Sequence, residues 1–186
     1  MAASHTSSLD ADKIASKWVS AFGDALVRAD VDATTSLFHE QGWFRNMLTF
    51  SWDWDSFSGH TAIKSYLSNT LAKAQISNVQ LDTRHGYAPV AAKGGPGPEL
   101  IDLLFTYETK TAHAHGQGIV KLFPPAEEEG IAKAFLVIMM VTDWKGHEEM
   151  SYLRGVPDGH TLAWGDIAAK SRSAIESNPT AVIGKD

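Results

Sequence analysis

The spacing of apolar residues changes partway along the chain, and that change limits the folds open to it. Ile14, Trp18, Phe22 and Leu26 recur every four residues, with Val19 and Ala25 beside them. This is the apolar stripe of a helix over residues 11–28, with Ser8 or Asp10 as its N-cap. Asp30 reads as the cap of a short second helix over 31–39, which buries Ala33, Leu37 and Phe38. Residues 42–49 read as a strand. Ile63, Tyr66, Leu67 and Leu71 predict a third helix over 61–74. Beyond that point the period shortens to that of strands. Residues 76–87 alternate weakly. Residues 99–110 and 112–123 form a hairpin around Thr111. The stretch 131–144 is continuous and apolar enough for a strand buried on both faces. Residues 91–98 are the most obvious loop, 124–130 an acidic turn, and 167–175 a loose final helix. Helices first and antiparallel strands later define an α+β fold, with the helices gathered on one side of the sheet. A strongly bent sheet wrapped around that helix layer leaves a one-ended apolar cavity suited to a small molecule.

Charge and composition remove several function classes. The net charge of -6 gives nucleic acid no basic footprint, and no Lys/Arg stripe stands out. There is no cysteine, so disulfides, thiolate catalysis and cysteine zinc sites are excluded. The longest apolar run, 134–141, is too short to span a bilayer, and residues 1–10 lack the character of a signal peptide. No membrane partner and a cytoplasmic location are expected. The 186 residues suit one domain, expected over 10–150, after a mobile tail at 1–9 and before an extension at 151–186. Six tryptophans point to an aromatic-rich core, pocket or interface.

Several segments occur in a recognisable order. They are Leu37-Phe38-His39-Glu40-Gln41-Gly42-Trp43-Phe44-Arg45-Asn46, Leu48-Thr49-Phe50-Ser51-Trp52-Asp53 and Phe57-Ser58-Gly59-His60. Later come Gly116-Gln117-Gly118-Ile119-Val120-Lys121-Leu122 and Trp144-Lys145-Gly146-His147-Glu148-Glu149. Together they resemble the N-terminal SnoaL-like domain, of the nuclear-transport-factor-like cone fold, found ahead of flavin-dependent monooxygenase modules. Asn46 stands where that pattern usually has an acid. Residues 179–186 are similar to the strand that opens the dinucleotide-binding domain, but no Gly-x-Gly-x-x-Gly follows, so no flavin and no other cofactor is expected. The resemblance then implies a cofactor-independent isomerase, cyclase or dehydratase. Its substrate would be a hydrophobic oxygenated small molecule, plausible in secondary metabolism. The alternative is a non-catalytic small-molecule-binding or dimerisation domain. The resemblance also implies a homodimer paired through its sheets.

The residues offer their own candidates. Arg45 can hold a carbonyl or enolate oxygen and Asp53 can move a proton, or the two form a structural ion pair or close a turn. His113 and His115, two apart on an expected strand, face the same way. One of them can act as a base, or both lie on the half-exposed face of an edge hairpin. A His-x-His pair can also begin a metal site, but no convincing third ligand is visible, so no metal is expected. Asp53, His115 and Arg45 are thus the catalytic candidates. Tyr107 shares a face with Leu103 and Phe105 and is preferred over Glu108 as a donor lining the cavity. Trp43, Trp52, Trp54 and Met139, together with His113, either line a substrate site or are ordinary packing. Gly116-Gln117-Gly118 is no phosphate cradle; it marks two places where a bent strand needs no side chain.

Overall fold

The computed structural model describes residues 10–93, 97–126, 130–148 and 164–177. The expected tail at 1–9, the acidic run Glu127-Glu128-Glu129 and the end at 178–186 lie outside the described residues. Contacts divide the chain into two units, residues 1–148 and 149–186. Within the second, α4 (Trp164–Ser177) is a single helix.

In the first unit α1 (Ala11–Val27) starts where the Asp10 carboxylate accepts from the Lys13 N–H at 3.0 Å. This satisfies one of the donors a helix start leaves open. Asp30 does the same for α2 (Val31–Ser36), accepting from Ala33 N at 2.9 Å. Helix α2 is shorter than the sequence suggests. Phe38 opens β1 (Phe38–Met47) instead of closing the helix, because its ring is buried on the sheet side among Phe22 and Phe44. A short β2 (Trp54–Ser58) then leads into α3 (Gly59–Ala74). The remaining strands are β3 (Ile76–Leu81), β4 (Val90–Lys93), β5 (Glu99–Thr109), β6 (Ala114–Phe123) and β7 (Lys133–Trp144). Strand β4 takes up the start of the stretch 91–98 that reads from sequence as a loop.

These seven strands form one sheet in the order β2-β1-β7-β6-β5-β3, with β4 beside β5. All described pairings are antiparallel except β1 with β7, which run parallel with Phe44 opposite Val137 and Asn46 opposite Met139. An all-antiparallel sheet was the expectation. The long excursion through helices and hairpins brings the last strand back beside the first in the same direction.

Helices α1 and α3 cover one face of the sheet. Trp18 stacks on Phe22 with ring centroids 4.5 Å apart, and Phe22 meets Phe105 edge-on at 5.8 Å. The period of two then sorts each strand. Ile101, Leu103, Phe105, Tyr107 and Thr109 of β5 point inward, as do Gly116, Gly118 and Val120 of β6 and Val137 and Met139 of β7. Strand β7 is not buried on both faces: Leu136, Ile138 and Met140 on its other side are partly exposed.

The two inward glycines are filled spaces. A Cβ on Gly116 would lie 2.2 Å from Tyr107 Cζ, and one on Gly118 2.1 Å from Phe105 Cε1. Both rings lie across the neighbouring strand, where only a glycine admits them. The centre of the cone is thereby occupied by aromatic side chains, and open space remains at its rim.

Candidate functional site

The rim is built by one buried amide. Asn46 is fully buried. Its Nδ2 donates to Ser51 Oγ at 2.9 Å, Ser51 O at 3.3 Å and Asp53 O at 2.8 Å. Its Oδ1 accepts from Thr49 N at 3.0 Å and Phe50 N at 2.9 Å. An acid here would lack the donors that three of these contacts need. The departure from the resembled pattern thus serves loop structure. Ser51 Oγ donates to Asp55 Oδ2 at 3.1 Å and also meets Tyr66 Oη at 3.2 Å. Burial pushes the Tyr66 phenol above its usual range.

The loop over 48–53 forms one wall of a cavity of about 220 Å³ at the open end of the sheet. The other walls are the end of α3, at Lys73 and Ala74, and the β5–β6 turn, at Thr109 and Ala112. Thr111 Oγ1 donates to Lys73 O at 2.5 Å and Lys110 N to Gln75 O at 3.2 Å, so helix end and hairpin are tied together. Three non-glycine residues with positive φ surround this opening: Leu48 at 68°, Gln75 at 48° and His113 at 51°. Side chains disfavour that region, and such strain gathers where surrounding structure fixes it.

Two features lie at the floor and the lip. Tyr107 is buried on the inner face, and its hydroxyl donates to Met140 O at 3.0 Å and meets Thr49 Oγ1 at 2.5 Å. Burial pushes its phenol well above the ordinary range, so it stays protonated and acts as a donor. Thr109, also inward-facing, has a buried hydroxyl with no hydrogen-bond partner among the described residues. At the lip Trp52 stacks on Trp144 with ring centroids 5.6 Å apart.

The sequence candidates do not meet around this cavity. Arg45 points outward from β1, where Nε donates to Ser56 Oγ at 3.0 Å, and it makes no ion pair with Asp53. Asp53 is exposed on the loop and offers its backbone carbonyl to Asn46. His115 lies on the outer face of β6, with β7 between it and β1. His113 is in the β5–β6 turn, not on a strand, so the expectation that it shares a face with His115 is corrected. Trp43 and Trp54 are exposed to 46% and 74% and do not line this cavity. Met139 is core. Trp52 does line the cavity, and Tyr107 lies beneath it.

His115 belongs to a second, polar groove of about 450 Å³. Its ring nitrogens lie 3.9 Å from Glu108 and 3.5 Å from Glu148. Glu108 accepts from Lys145 Nζ at 2.6 Å and Asn78 Nδ2 at 2.9 Å; these contacts hold its carboxyl below the usual range. The groove's Arg84 forks onto the buried Asp82, and this pairing lowers the Asp82 carboxyl. The groove therefore consists mainly of paired charges. Among the described residues no cluster of three or more His, Asp or Glu stands where it could hold a metal ion, and no helix is long and apolar enough to cross a membrane.

Thr49 and Thr109 escaped the sequence reading, and Asn46 entered it only as a departure from the resembled pattern. Thr109 had a signal, since it continues the inward period of Leu103, Phe105 and Tyr107 with a polar side chain.

The α+β cone, with a curved sheet and helices packed on one face, is the nuclear-transport-factor-like architecture. The sequence matches no protein-family model and no curated protein. Among solved structures it is similar to a chain of the yeast complex of deubiquitinase Ubp3 with its Bre5 cofactor, at 14% identity and a TM-score of 0.52, covering 70% of this chain and 96% of that one. A protein of unknown function from Pectobacterium atrosepticum superposes with a TM-score of 0.50 at 12% identity, covering 72% of this chain and 92% of that one. Nuclear transport factor 2 of Cryptosporidium parvum gives 0.46 at 14% identity, covering 70% of this chain and 94% of that one. At such identities the likeness concerns fold, and side-chain chemistry does not follow from it.

Proposed function

We propose that this chain is a non-catalytic binding domain that works as a homodimer, paired through the outer face of its sheet. With the sequence candidates, an acid–base enzyme of the isomerase, cyclase or dehydratase kind would gather Asp53, Arg45 and a histidine around one enclosed space. Asp53 and Arg45 are exposed near the β1–β2 edge, and His115 sits on the other side of β7. The centre of the cone, where such chemistry would be sheltered, is packed with Phe105 and Tyr107.

The observation that carries the reading is the composition of the outer face. Strand register sets Trp43 beside Leu136 and Arg45 beside Ile138, then Ile138 beside Ile119. Met47 is opposite both Trp54 and Met140. Among the described residues of the first unit no helix covers this stripe. A continuous apolar patch of this kind marks an association site. Arg45 lies within it, with its Nε donating to Ser56 Oγ, and the Lys121–Asp102 pair borders it beside Leu136 at 2.7 Å. A two-fold interface sets each patch against its own copy, so the apolar residues of one would meet those of the other. The face-to-face pairing implied by the SnoaL-like resemblance agrees with this.

Sedimentation velocity tests the reading. The wild-type chain should run as a dimer, and Ile138→Glu should run as a monomer with an unchanged far-UV circular dichroism spectrum. A wild-type chain that stays monomeric at every concentration defeats the proposal.

A further inference from the structure

We propose that the rim cavity is a binding site for a small aromatic acid of one ring that carries a second polar group, of the hydroxybenzoate type. The site is separate from the dimer face, and the proposal stands without it. Size sets the first limit. At about 220 Å³ the cavity is below the range of pockets for drug-sized ligands, and polycyclic molecules are too large. The packing of Phe105 and Tyr107 over Gly118 and Gly116 keeps a ligand from going deeper.

Chemistry sets the second. Leu48, Phe50, Ala74 and Ala112 give the cavity an apolar body. Among the described residues Lys73 is its one charged lining residue, and no carboxylate lines it. A ligand that carries charge is therefore an anion. Thr109 is 1% exposed with its hydroxyl unpartnered, although buried polar groups are as a rule bonded. Thr49 is placed to help. Tyr107 spends its proton on Met140 O, so the short contact with Thr49 uses the threonine proton and leaves Thr49 Oγ1 able to accept. A ring hydroxyl can thus accept from Thr109 and donate to Thr49.

The walls are also held in advance. Asn46 fixes the loop through five hydrogen bonds, and the Thr111 contact fixes the helix end. Strained backbone at Leu48, Gln75 and His113 borders the opening. Preorganised walls of this kind lower the ordering cost of binding.

Calorimetric titration with 4-hydroxybenzoate, benzoate and 4-hydroxybenzylamine tests the assignment. The two acids should bind and the amine should not. Thr109→Val, which keeps the shape and removes the hydroxyl, should weaken 4-hydroxybenzoate about fivefold to tenfold and leave benzoate unchanged. Lys73→Glu should weaken both acids. Without ligand, Thr109→Val should raise Tm, since it removes an unpartnered buried hydroxyl. The proposal is overturned if neither acid binds, if the amine binds as well as the acids, if Thr109→Val binds 4-hydroxybenzoate like wild type, or if that variant melts lower.

Discussion

Asn46 shows how much can rest on one amide. Its donors and acceptor saturate the loop that presents Trp52, and none of the five contacts is replaceable by water in a fully buried position. Asn46→Asp restores the acid of the resembled pattern but sets carboxylate oxygen against the Ser51 and Asp53 carbonyls. The expected loss is about 3 kcal/mol, read as a lower urea midpoint. An unchanged midpoint would mean that the loop is held by other contacts. The inward glycines make a steric counterpart. Gly116→Ala should cost about 2 kcal/mol, because its methyl occupies the place of the Tyr107 ring. In a Tyr107→Leu background the same change should cost clearly less, and the double-mutant cycle measures that coupling. Tyr107 was readable from sequence through its register with Leu103 and Phe105. Asn46 lay inside the strand read over 42–49 and in step with Phe44, but its partners, the backbone groups of the loop over 49–53, depend on how that loop folds back and leave no period in the sequence.

Among elements, the outer ends of β5, β6 and β7 are joined by charge. Register sets His115 between Glu108 on β5 and Asp143 on β7, while Glu148 approaches from the turn after β7 and Lys145 closes on Glu108. Lys145 holds the Glu108 carboxyl low, and the Gly146 backbone N–H does the same for Glu148. A carboxyl lowered on folding binds fewer protons in the native state than in the unfolded one. Its contribution is complete above the unfolded pKa of about 4.3 and disappears as pH falls through the native value. Urea stability followed from about pH 6 to pH 3 should therefore fall, and Glu108→Gln should make that fall shallower. Identical slopes would show that the Lys145 contact contributes nothing. The helices were largely legible, since α1 and α3 announce themselves by period and cap. His113 was misplaced because strand alternation cannot reveal where a hairpin ends, and one residue across that end changes the face. A left-handed backbone at a histidine gives no sequence warning.

On the scale of the whole molecule, the α+β class followed from the order of periods, whereas the sheet order did not. Neighbours in the sheet that are distant in sequence leave no local trace, and the parallel contact of β1 with β7 is the clearest case. The same applies to the cone's interior. Composition promised aromatic residues but could not say that Trp18 would be buried while Trp43, Trp52, Trp54 and Trp144 stayed at the surface. The β1–β7 contact has a further effect during synthesis. Phe44 gains its sheet partner Val137 only when nearly all of the first unit has left the ribosome. Until then β1 has the helices α1 and α3 for its inner face but one bare edge, so closure of the sheet is late and non-local. Chaperones that shield exposed strands should accordingly engage this protein before β7 emerges and release it soon afterwards.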